Sequence, residues 1–95
     1  MSNQSFNLFR IRQVLFKADI EGLIALGAPD DEYDDEAILI ADFINKINTQ
    51  NRDFEVIREG VLKIWQQSFD LSDDDLRLRY QNIDDVVRMV VQNVQ

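Results

Sequence analysis

Apolar residues recur every three or four positions along most of this chain, and one proline and three glycines are all that interrupts them. That spacing follows the α-helical turn of about 3.6 residues, and it leaves the chain few places to break. A first helix is predicted over residues 5–17, with Leu8, Ile11 and Leu15 at helical spacing and Val14 beside them. Arg10, Gln13 and Lys17 share its other side, and Lys17 suits the negative end of the helix dipole. Residues 19–33 hold Gly22, Gly27 and Pro29, yet Ile20, Leu23, Ile24 and Leu26 make the stretch too apolar for a solvated loop. It reads as a packed connector with one short helical turn over 21–26, its side chains buried under the helices.

A second helix is predicted over 35–48. Asp34 is its expected N-cap, Asp35 and Glu36 face the positive end of the dipole, and Tyr33 is expected to staple onto Ile38. Residues 37–41 are apolar almost all round, which predicts a central, buried helix with Ile40, Ile44 and Ile47 on its inner face. A third helix over 52–69, capped by Asn51 or Asp53, carries Phe54, Ile57, Val61, Ile64 and Trp65. Gly60 inside it costs about 1 kcal/mol against alanine, and close approach of another helix is one reason to keep it. Ser72 opens a short fourth helix to about Tyr80 with a capping-box pattern. Asn82 is read as the cap of a fifth helix over 83–94. That segment is valine-rich, but residues 86–91 do not alternate as a half-buried strand would, and Asp84, Arg88, Gln92 and Gln95 recur every three or four positions, as do Ile83, Val87, Val90 and Val94. The layout is all-α: a single domain over 1–95, built as a small bundle of four to five helices.

A chain of 95 residues buries roughly 60–65% of the surface its unfolded form exposes, enough for one core without a deep cavity. The formal charge is −8 and the pI about 4.3. Such a surface repels nucleic acid and anionic membranes, which require neutralisation by Lys and Arg, and it attracts a basic protein. Solubility alone is the plainer reason for the charge. No apolar run reaches the ~18–20 residues of a membrane span. The start, Met1 to Asn7, lacks the basic and apolar regions of a secretory signal, and cysteine is absent. The expected location is the cytoplasm.

Histidine and cysteine are both missing, which removes the commonest general base near neutral pH and the usual nucleophile constellations. The chain is therefore read as no enzyme. No cofactor is expected either. Asp70, Ser72 and Asp74 match the first, third and fifth positions of a calcium loop, but Asp75 stands where the loop needs glycine and Gln81 where it needs glutamate. The acids of residues 30–36 are contiguous, so neighbouring side chains point apart, and both clusters read as helix-start chemistry. Gly22 and Gly27 lack the strand–loop–helix setting of a phosphate cradle, and Gly27 reads as a chain reversal needing positive φ. Trp65 lies on the apolar stripe of its helix and reads as a core residue rather than a binding anchor.

The segment Asp19-Ile20-Glu21-Gly22, followed by Gly27-Ala28-Pro29-Asp30-Asp31-Glu32-Tyr33-Asp34, resembles a motif of the YugE-like family, small helical bacterial proteins without an assigned activity. The family pattern runs Asp-Pro-x-Gly, a short apolar stretch, then Asp-Glu-Tyr-Asp opening a helix. Asp19, Gly22, Asp31, Glu32, Tyr33 and Asp34 match it position by position, while Ile20 departs from the usual proline. Related motifs occur in small proteins of bacterial toxin–immunity loci. The resemblance implies an all-α fold and marks these six residues as either a partner-binding motif or helix-start structure, with Asp19 capping the short turn at Glu21.

The residues alone do not name a function. The first expectation is a non-catalytic protein-binding module, in its sharper form an immunity or antitoxin-like protein with an acidic face. The alternative is a small homodimeric regulatory or assembly subunit. A specific metal ligand at one hundred times its dissociation constant would add about 2.7 kcal/mol of stability. Calcium or magnesium at matched ionic strength is expected to leave the melting temperature unchanged, as a thermal melt will check.

Overall fold

The computed structural model describes residues 8–47 and 53–92. It contains five helices, α1 Leu8–Ala18, α2 Asp34–Lys46, α3 Phe54–Ser68, α4 Asp73–Arg77 and α5 Tyr80–Gln92, and no strand among the described residues. The all-α bundle read from the sequence is what forms. The predicted helix starts at Ser5 and Arg52, the ends at Asn48 and Val94, and the alternative cap Asn51 lie outside the described residues.

Two expected caps are present. The Asp53 carboxylate accepts from the Val56 amide at 3.0 Å, and the Ser72 hydroxyl accepts from the Asp75 amide at 3.1 Å. Each satisfies one of the amides that a helix start leaves without an intrahelical partner. Asn82 is no cap. The Ile83 amide donates to the Arg79 carbonyl at 2.9 Å, so the helical ladder already runs past Asn82, which lies inside α5. Only Leu78 and Arg79 separate α4 from α5.

The four longer helices close into a ring, in which α1 and α3 each pack against both α2 and α5, and α4 rests on α3. Contacts fix two directions. Arg58 bonds Asp84 at 2.6 Å while Arg88 lies over the Phe54 ring at 5.6 Å, so α3 and α5 are antiparallel. The α2 pairings are Glu36 with Ser68 and Phe43 with Gly60, which makes α2 antiparallel to α3 as well. Ile11, Leu15, Ile40, Ile44, Ile57, Val61, Trp65, Ile83 and Val87 fill the space inside the ring.

The ring corrects one expectation. α2 is not central. Ala37, Ile40, Ala41 and Ile44 are buried, but Ile38 is 46% and Leu39 47% exposed. A helix in a ring of four has one side toward the core and one toward solvent, whatever its sequence. An apolar run all round therefore leaves apolar side chains outside. The connector also departs from expectation at one residue: Ile20, Leu23 and Ile24 pack against the core, but Leu26 at the turn tip is 84% exposed.

Gly60 is buried where α2 crosses α3, and a Cβ built there falls on the ring of Phe43. Close approach is the reason for this glycine. Gly60→Ala should destabilise by about 1–3 kcal/mol as the ring is displaced. In a Phe43→Ala background the same change should stabilise by up to about 1 kcal/mol, because only helix propensity remains. Ile44→Ala should cost about 2–5 kcal/mol. Urea denaturation of the variants measures all three.

Candidate functional site

Of the six motif residues, Asp19, Gly22 and Tyr33 form a latch, Asp31 and Glu32 stand on an exposed rim, and Asp34 pairs with Arg12. The latch begins where α1 ends. Asp19 has φ of 44°, the left-handed conformation that stops a helix, and its amide still donates to the Leu15 carbonyl at 2.9 Å. Its carboxylate turns back over the connector and accepts from the amides of Ile24 and Ala25, both at 3.0 Å. Gly22, with φ of 72°, donates its amide to the Asp19 carbonyl at 2.8 Å, a tight turn that a residue with a side chain would strain. One helical turn follows, closed by the Leu26 amide on the Gly22 carbonyl at 3.2 Å. Gly27 then reverses the chain with φ of 105°, as its type suggested.

Tyr33 completes the latch. Its hydroxyl donates to the Asp19 carboxylate at 2.7 Å and accepts from the amides of Glu21 at 3.2 Å and Leu23 at 3.4 Å. A phenol has one proton and two lone pairs, and all three are used. The ring is buried, stacked on Trp65 at 5.8 Å between centroids and edge-on to Phe69 at 6.3 Å. Tyr33 is thus no staple on Ile38. It points inward, while Ile38 lies on the outer side of α2. Burial, and then the bond to Asp19, push the phenol up to about 12, so it stays protonated. Burial also raises Asp19, but the hydrogen bonds from Tyr33, Ile24 and Ala25 outweigh it and hold the carboxyl below its ordinary value.

Glu21, between these two, joins the connector to the far side of the chain. Its carboxylate accepts from the Trp65 indole N–H at 2.7 Å and from Arg79 Nε at 2.6 Å and Nη2 at 2.8 Å. The two-pronged bond to Arg79 is the main cause of its lowered pKa, with Trp65 adding to it against burial. Sequence reading missed this cluster. Its one local signal was an acid inside the apolar run Ile20 to Leu26.

Asp34 departs from its expected role. It is the first residue of α2 rather than the cap, and its carboxylate makes no capping bond. Both of its oxygens face Arg12 of α1, with Arg12 Nε at 3.0 Å, and that bond lowers the Asp34 pKa. The guanidinium outcompetes the helix amides because it offers two charged donors in one plane.

The rim is what remains exposed. Asp30, Asp31, Glu32 and Asp35 stand out from the start of α2, and Asp70, Asp73, Asp74 and Asp75 from the turn after α3. Asp70 takes φ of 52°, reversing the chain as Asp19 does. The two acidic stretches are neighbours in space, since Tyr33 meets Phe69 and the Ser68 hydroxyl lies close enough to Glu36 to oppose the rise of its pKa. Glu36 is buried at that junction, and loss of water raises its pKa with Asp35 and Glu32 adding to the rise. Some of the negative charge is met locally, by Arg77 on Asp74 and by the Gln66 amide on Asp73. Among the described residues no group of three or more His, Cys, Asp or Glu is arranged to hold a metal ion, and no helix is long and apolar enough to cross a membrane.

Compared with protein-family models, with curated proteins and with solved structures, the chain matches none.

Tyr33→Phe removes a donor that Asp19 uses and an acceptor that two amides use, so it should cost about 1–3 kcal/mol. Asp19→Asn should also destabilise at neutral pH. The Asp19 carboxyl is held low in the folded state, so its contribution is present above the ordinary carboxylate range and is lost as pH falls through its folded value. The difference between wild type and Asp19→Asn should therefore narrow in acid, as denaturation at neutral pH and below pH ~3 will show.

Proposed function

We propose that this chain is a non-catalytic protein-binding domain whose acidic rim receives a basic protein. One observation carries the reading: the two acidic stretches, separate in sequence, sit side by side at one end of the bundle. Glu32, Asp35, Asp70 and Asp75 are all exposed there around the Glu36–Ser68 and Tyr33–Phe69 contacts. A surface of one sign steers an oppositely charged partner and speeds its capture. The likeness of the motif to YugE-like proteins and to toxin–immunity loci favours an immunity or antitoxin-like form, in which the basic partner is a toxin. The titratable groups of the connector support a non-catalytic role, because Asp19, Glu21 and Tyr33 spend their hydrogen bonds on holding it.

The test begins with affinity capture from the native host and continues with stopped-flow association of the captured protein. The association rate should fall steeply with added salt. Changing Glu32 to Gln and Asp35, Asp70 and Asp75 to Asn together should slow it by about tenfold or more while leaving helicity intact. A rate indifferent to both salt and these substitutions would show that the rim is not the interface.

A further inference from the structure

A second surface borders the rim, shares Asp30 and Asp31 with it, and adds the opposite charge from α1. α1 carries Arg10, Arg12 and Lys17 and no acid, so all 18 acids of this chain lie outside it. The other four helices each carry at least two acids. α1 is also apolar on two sides. Ile11, Val14 and Leu15 face the core, while Phe9 is 63% and Phe16 38% exposed. Phe9 and Phe16 are two helical turns apart and so share one outer face. Beside them runs an open groove of about 520 Å³ between α1 and the connector. Arg12 bonded to Asp34 crosses it, Lys17 stands at its α1 lip, and Asp30 and Asp31 form the connector lip.

We propose that this groove is the docking surface for a second copy of the same chain. Charge complementarity selects that occupant. The groove has a cationic lip and an anionic lip, and a twofold contact sets each lip against its opposite on the other copy, as a self-complementary patch must. Lys17 of one copy then meets the Asp30 and Asp31 lip of the other, with Phe9 and Phe16 covered between them. A basic protein suited to the rim would bring positive charge against Arg12 and Lys17. Nucleic acid or an anionic membrane would suit α1 but be repelled by the rest of the surface. The second copy alone supplies an acidic surface with a basic, aromatic ridge.

The test is a charge swap followed by mass measurement in solution. Wild type should give the dimer mass by light scattering, shifting to monomer on dilution. Lys17→Glu alone and Asp31→Lys alone each set like charges together twice, and each should weaken the dimer by about tenfold or more. Mixing the two variants restores opposite charges at both contacts and should restore the dimer. Phe9→Ser, at an exposed site, should weaken the dimer without loss of helicity. A monomeric wild type overturns the proposal, as does a dimer that survives these substitutions or a mixture that stays monomeric. A monomeric chain whose α1 variants lose the captured basic protein would assign the groove to that protein instead. The rim substitutions leave Lys17, Asp30 and Asp31 in place, and Lys17→Glu and Phe9→Ser leave the rim in place, so these variants test the two surfaces apart.

Discussion

The carboxylate of Asp19 receives three hydrogen bonds, from two amides and one phenol, and the path of the chain between α1 and α2 depends on them. A connector this apolar has backbone amides that lose water when its side chains pack. An acid at the helix end answers that need, because its two oxygens accept from several donors at once. The left-handed backbone at Asp19 turns the carboxylate over the loop it serves. Tyr33, at the other end of the loop, returns to the same carboxylate. The chain from Asp19 to Tyr33 is thereby closed into a unit that presents Ile20, Leu23 and Ile24 to the core.

A second acid ties that unit to the rest of the bundle. Glu21 bonds Trp65 of α3 and Arg79 between α4 and α5, so one carboxylate touches the connector, the longest helix and the junction of the last two. Pairs of this kind return little net stability, because both ions must be stripped of water. Their effect is on geometry: one packing of the connector satisfies Glu21, and others leave a charge without a partner. The start of α2 is fixed by the same packing, which sets the first acidic stretch beside the second.

Much of the fold was legible in the sequence, and the reasons mark where reading stops. Helix identity follows from local spacing, so all five helices were foreseen, and the valines of α5 did not mislead because Asp84 and Arg88 recur at helical intervals. Local caps at Asp53 and Ser72 were foreseen for the same reason. Asp34 was misread because capping assumes that no better donor is near, and Arg12 lies 22 positions away. The α2 run was misread because burial is decided by how many neighbours surround a helix, which no single helix encodes. Asp19, Gly22 and Tyr33 were singled out together and meet in the latch, but the Glu21–Trp65–Arg79 cluster spans up to 58 positions and leaves no periodic trace. Asp31 and Glu32 do not enter the latch and stay on the surface.

Trp65 is the only tryptophan of the chain, and its surroundings give it an optical meaning. Its indole is fully enclosed, its N–H is bonded to Glu21, and Tyr33 stacks on it. Both of those neighbours belong to the connector and neither to the helix that carries the indole. The intrinsic fluorescence of this protein is therefore a signal from the connector. Its emission wavelength and intensity report whether that segment is seated, and a local release of the segment would register before the helices melt. The protein thus contains a native probe at the joint on which its surface geometry depends.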